Sequence, residues 1–123
     1  MSIEMINVPG VVPIAPYSPA VKANGFIFVS GQLGWNTEHV LAEGIEKQTT
    51  LAMKNLGDVL KLAGSDYTKI VKCQIFIKDM NQFDAMNKAY AVFFPVHKPA
   101  RFCVEVARLP KDALVEIDAT AVQ

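Results

Sequence analysis

The 123 residues carry 12 basic and 12 acidic side chains, which leaves no net field to draw in nucleic acid or an anionic membrane. Hydrophobic residues make up 51% of the chain and charged ones only 20%, which excludes a disordered chain. The length fits one domain over 1–123 with a worthwhile core. A mean hydropathy of +0.23 is high for so small a soluble monomer and points to apolar surface spent on partner subunits.

The opening Met1-Ser2-Ile3-Glu4-Met5 has no basic n-region and no apolar h-region, so no signal peptide is expected and the cytoplasm is the default location. No apolar stretch approaches the ~20 residues of a membrane span, so no membrane partner is expected. The two cysteines, Cys73 and Cys103, lack metal-type spacing and sit in apolar, strand-like runs where a free buried thiol is ordinary. His39 and His97 fall in different loops without ligand-type companions, so no metal site is expected and both read as surface residues.

Pro9, Pro13, Pro16 and Pro19 exclude helix from the first twenty residues, where a short strand is possible only near 3–8. Asn24-Gly25 is a two-residue hairpin signal between strands Ala20–Ala23 and Phe26–Ser30, and residues 31–43 read as a polar loop. From Gly44 to Ala63 the apolar residues follow a helical stripe that ends at Gly64, a natural αL residue. Ile70–Lys78 alternates as a strand. A second helix follows, capped by Asp79 or Asn81, striped by Phe83, Met86, Tyr90 and Phe93 and stopped by Pro95. Arg101–Arg108 and Leu114–Val122 are two more alternating strands joined by the tight stretch 109–113. The order predicts an α+β fold with a mixed sheet and both helices on one face.

The last two strands, read as a hairpin, place Phe102, Val104 and Val106 toward the helices together with Val115, Ile117 and Ala119. In that register 102 faces 119 and 104 faces 117, and the other face carries Arg101, Cys103, Glu105, Glu116 and Asp118. Cys103 and Glu116 then become diagonal neighbours ~7–8 Å apart, with Arg101 ~7 Å further along the strand. Such a triangle offers a guanidinium fork for a carboxylate and an acid/base carboxylate beside it. The same pattern also describes an ordinary solvated face. Against that, Phe76 and the run Phe26–Ser30 make much of the outer face apolar, so a second subunit is expected to cover it.

These residues also form a recognisable series. Pro99-Ala100-Arg101-Phe102-Cys103-Val104-Glu105-Val106-Ala107-Arg108-Leu109-Pro110, followed by Glu116-Ile117, resembles the C-terminal signature of the RidA/YjgF family of reactive-intermediate deaminases, also named the endoribonuclease L-PSP family. Ala15-Pro16-Tyr17-Ser18-Pro19-Ala20, Val29-Ser30-Gly31-Gln32-Leu33-Gly34, the strand from Val71 to Asp79 and Asn87-Lys88-Ala89-Tyr90 agree, in order, over nearly the whole chain. The resemblance implies a chorismate-mutase-like homotrimer with pockets at the subunit interfaces and no cofactor. It implies hydrolysis of 2-aminoacrylate-type enamines, through their imine tautomers, to 2-keto acids and ammonia. Carried over residue by residue, Arg101 clamps the small substrate's carboxylate and Glu116 holds or deprotonates the attacking water. Cys103 lies against the substrate, Tyr17, Ser30 and Gly31 line the pocket, and Asn87 matches a position of open role.

Two stretches depart from the family pattern. Phe94–Pro99 is shorter than the usual loop, and Trp35 stands where a smaller residue is usual, either filling the gap so left or lying on the surface. Two other functions compete with the deaminase. A single-strand endoribonuclease has little support from a neutral chain with no histidine pair. A non-catalytic metabolite-binding regulator would need the arginine but not Glu116.

Overall fold

The computed structural model describes residues 2–123 and holds one mixed six-stranded sheet covered on one face by two α-helices. Strand β1 (Ile3–Ile6) pairs antiparallel with β2 (Ala20–Ala23), and β2 with β3 (Phe26–Leu33). The β2–β3 turn is the expected one: Asn24 and Gly25 both take positive φ, at 53° and 82°. Helix α1 (Ile45–Leu62) buries Ile45, Ala52, Met53, Leu56, Val59 and Leu60. It closes at Gly64 in a Schellman motif, in which the Gly64 N–H donates to the Lys61 carbonyl and the Ser65 N–H to that of Leu60.

Strand β4 (Ile70–Ile77) leads through a 3₁₀ turn to helix α2 (Phe83–Ala91), and α2 leads to β5 (Ala100–Glu105). Asp79, one of the two expected caps, accepts the Asn81 N–H. Strand β6 (Val115–Val122) completes the sheet in the order β1-β2-β3-β6-β4-β5.

Two expectations from the sequence are corrected here. Residues 31–33 are not loop: a bulge between Val29 and Gln32 lets β3 continue to Leu33, and Trp35 and Leu41 then form an isolated bridge. More consequentially, β5 and β6 are not a hairpin. β6 lies between β3 and β4, antiparallel to both, while β5 is the outer edge strand, parallel to β4. Parallel neighbours need a crossover, and α2 is that crossover. The stretch 106–114 passes over the end of β4 instead of turning back beside β5, held by bonds from the Val106 N–H to the Ile77 carbonyl and from the Lys78 N–H to that of Leu114.

This pairing inverts β5. Arg101 stands beside Cys73 and Cys103 beside Ile75, both on the helix face, while Phe102 and Val104 point to the open face. The core between sheet and helices is filled by Ile27, Val29, Cys73, Ile75, Ile117 and Ala119 against α1 and α2. The open face carries Phe28, Phe102 and Val104, which are 47%, 38% and 41% exposed, a third apolar layer with nothing over it in one chain. No helix among the described residues is long and apolar enough to cross a membrane.

Candidate active site

Glu116 points to the open face from the start of β6, beside the bulged end of β3. It forms one wall of a cavity of about 330 Å³ together with Ser30, Gly31 and Tyr17. A side chain at position 31 would collide with the Glu116 carboxylate, so only glycine leaves it room there. The Ser30 hydroxyl donates to the Ser18 carbonyl at 2.6 Å, and the Ser30 N–H to that of Pro19 at 2.9 Å. These bonds pin the proline-rich strap, with Tyr17 on it, across the mouth of the cavity.

Burial pushes the Glu116 carboxyl above the ordinary carboxylate range, and the charge of Asp118 pushes it further. Asp118 is raised by burial too, with the Gln74 N–H at 3.1 Å and the charge of Lys72 acting against that. The carboxylate close to Glu116 is therefore Asp118 and not Glu105, which accepts the Met80 N–H at 2.8 Å. Arg108 forms an exposed pair with Asp112 at 2.6 Å.

Arg101 lies on the other side of the sheet. Its guanidinium sits 5.0 Å from the Tyr90 ring centre and 5.6 Å from that of Phe83, both on α2. The ion pairs among the described residues are Lys88–Glu46 and Arg108–Asp112, so the guanidinium faces aromatic rings without a carboxylate. Asn87, four residues after Phe83 and three before Tyr90, shares their helix face. Its Oδ1, the Tyr90 hydroxyl and the Gln82 Oε1 are buried with no hydrogen-bond partner. Each such orphan costs about 1–3 kcal/mol, a cost usually tolerated where a ligand or partner completes the set. A cavity of about 220 Å³ opens beside Arg101, walled by Tyr90, Phe94 and Lys98.

Cys103 is half-buried next to Arg101, and burial raises its thiol despite that cation. A thiol so held stays neutral, which suits packing better than nucleophilic attack. Cys73 is core, as expected, its thiol pushed up to about 11 by burial and set near the Tyr90 hydroxyl. His39 is exposed against Trp35, whereas His97 makes a 2.6 Å bond to the Ile70 carbonyl that the sequence did not signal.

The expected residues are thus brought together in two groups rather than one. Tyr17, Ser30, Gly31 and Glu116 share a cavity on one face, and Arg101, Cys103 and Asn87 gather at the other. Glu116 aligns with Val104 across β4, two strands away, and Arg101 lies three residues before Val104. Strand spacing and rise put the two Cα atoms roughly 14 Å apart, with the side chains directed away from each other. The triangle expected from the hairpin register does not exist within one chain. Of the residues not expected at a site, Gln32 and Pro110 lie within the quoted segments, whereas Ile14 at the first cavity, Lys98 at the second and Phe83 beside Arg101 have no local signal and are collected only by the fold.

Arg101, with no carboxylate partner among the described residues, and the half-buried Glu116 carboxylate thus stand on opposite faces of one α+β sheet. The chain belongs to the family described as Endoribonuclease L-PSP, whose model matches residues 8–123; the RidA/YjgF proteins expected from the sequence carry the same signature. It is 48% identical over 114 residues to a RutC family protein of Synechocystis, covering 89% of this chain and 88% of that one. It is 38% identical over 112 residues to the human 2-iminobutanoate/2-iminopropanoate deaminase, covering 89% and 82%. The crystal structure of YyfA of Yersinia pestis, titled a conserved Rid family protein, superposes with a TM-score of 0.93 at 41% identity, covering 99% of this chain and 100% of that one.

Proposed function

We propose that this protein hydrolyses 2-imino acids to 2-keto acids and ammonia at sites shared between neighbouring copies of a homotrimer. The observation that carries the reading is the separation of Arg101 from Glu116. A 2-imino acid holds its carboxylate one bond from the reacting carbon, so one chain alone cannot offer both residues to it. The uncovered apolar face, with Phe28, Phe102 and Val104, is where a second copy of the chain would bring one half-site against the other. The curated relatives named as deaminases support the same chemistry.

In this reading Arg101 of one copy takes the carboxylate with its planar fork, as lysine could not. Asn87 and Cys103 line that end. Glu116 of the neighbouring copy accepts a hydrogen bond from water and takes its proton as the water oxygen bonds to the iminium carbon. The carbon–nitrogen double bond becomes single, giving a 2-amino-2-hydroxy acid. Glu116 returns the proton to nitrogen, the carbon–nitrogen bond breaks and ammonia leaves, while the hydroxyl gives its own proton to the re-ionised Glu116 and its oxygen forms the ketone. An iminium is electrophilic already, so positioning and one carboxylate suffice.

The test generates 2-iminopropionate with an amino-acid oxidase and traps residual imine with semicarbazide. The protein should suppress semicarbazone formation and Arg101→Ala should not; equal behaviour of the two refutes the reading. Endonuclease action, named in the family description, is expected to be absent: His39 and His97 are engaged separately, against Trp35 and Ile70. Salt-sensitive cleavage of single-stranded RNA that survives Arg101→Ala would favour it instead.

A further inference from the structure

The cavity beside Glu116 has a polar end and an apolar end. Glu116 and Tyr17 supply its polar groups, while Ser30 and Gln32 are already engaged, Ser30 with the Ser18 carbonyl and Gln32 with the Ser30 carbonyl at 3.0 Å. Beyond them the walls are Ile14, Leu33, Trp35 and Pro110. An end with engaged polar groups and apolar walls has little to offer a charged or hydrogen-bonding group and favours a hydrocarbon one.

Trp35 is the wall that matters most, because it also lines a second cavity of about 160 Å³, where Val8, Val11 and Val59 stand with polar residues that include Asn55 and Asp58. The indole and Gln32 together form the partition between the two spaces. Hydrogen bonds and packing hold the partition in place. Asn55 Nδ2 donates to the Leu33 carbonyl at 3.0 Å and to the Trp35 carbonyl at 2.9 Å, and Trp35 pairs with Leu41 across the loop. Asn36 Oδ1 accepts the N–H groups of Glu38 and Val40, and His39 packs on the indole at 4.3 Å between ring centres. The residue that stands where the sequence signature has a smaller one is therefore a built part of the cavity rather than a surface aromatic.

We infer that the apolar end of the Glu116 cavity receives the side chain of the imino acid, and that Trp35 is the specificity-determining wall that limits its length. The substrates so selected are imino acids with aliphatic side chains. The inference rests on the deaminase reading, since it takes the reacting carbon to lie beside Glu116. Acidic side chains are rejected because the cavity wall carries no cation and already holds the Glu116 carboxylate, and long aromatic ones because the indole bounds the space. Removing the indole joins the two cavities and admits the longer groups.

The experiment compares kcat/KM for imines derived from alanine, leucine and phenylalanine in wild type, Trp35→Ala and Trp35→Phe. Trp35→Ala should raise the phenylalanine-to-leucine ratio by about tenfold, the scale on which an apolar pocket discriminates, and Trp35→Phe by less. The alanine-derived imine, too short to reach the indole, should change little. A ratio unchanged in both variants, or an equal loss on all three imines, overturns the inference while leaving the deaminase reading intact. No turnover of any imine by wild type would remove that reading instead. Binding gives a readout independent of turnover and of whether Trp35→Ala folds: Trp35 is the only tryptophan, so its emission should shift with 4-methyl-2-oxopentanoate and not with pyruvate. Identical responses to the two keto acids also overturn the inference.

Discussion

Mixing two inactive variants tests the shared site directly. Arg101→Ala and Glu116→Gln each remove one half-site and leave the other whole, because the residues lie on opposite faces and roughly 14 Å apart. Each alone should lose roughly 100-fold or more in kcat/KM, the scale for losing a positioned acid–base group or a charged clamp. In an equimolar assembly formed by co-expression or joint refolding, a site is intact when its arginine comes from a Glu116→Gln copy and its glutamate from an Arg101→Ala copy. Random assortment in a closed ring of head-to-tail contacts makes about one site in four intact, so activity should return to about a quarter of wild type. The semicarbazide assay reads this easily over the residual activity of either variant. A mixture no more active than the variants measured separately would show that each site is built from one chain, and the composite reading would be lost.

Gly31→Ala should push the Glu116 carboxylate aside and lower kcat markedly with little change in thermal midpoint, since the atom displaced is the end of a flexible side chain; unchanged kcat would place Glu116 outside the reaction. Because Glu116 must be ionised to take a proton, kcat/KM should fall as pH drops through its raised pKa, at higher pH than for an ordinary carboxylate. Asp118→Asn should move that acid limb down only part of the way, burial being the larger cause, and a limb that stays put would remove Asp118 from the account. A carboxyl whose folded pKa is raised gives full stability below its unfolded value and loses it as pH rises through the folded one. Glu116→Gln should therefore raise the thermal midpoint at pH 7 and leave it nearly unchanged at pH 4. Gly34→Ala would drive a methyl into the backbone of Gln48, whose amide holds the Ala42 carbonyl and the Leu114 N–H, and should cost more than about 2 kcal/mol in chemical denaturation.

The local elements of this protein were legible in its sequence because local rules decide them. Asn24-Gly25 tolerates positive φ at both positions, Gly64 closes α1 in the αL conformation, and Asp79 caps the turn into α2. The family was legible too, through the order of a long signature from Ala15 to Glu116. What the sequence could not decide was which strands are neighbours. Phe102, Val104 and Val106 read as a core-facing set, and next to a short connection they suggested a hairpin. Alternation separates two faces without saying which one is inside, and on an edge strand whose outer face is also apolar both assignments satisfy it. Pairing is settled by non-local contacts: α2 must cross from β4 to β5, and β6 must fill the gap between β3 and β4. Only that tertiary choice put Arg101 beneath α2 and Glu116 on the far face, and so separated two residues that the hairpin register had set side by side.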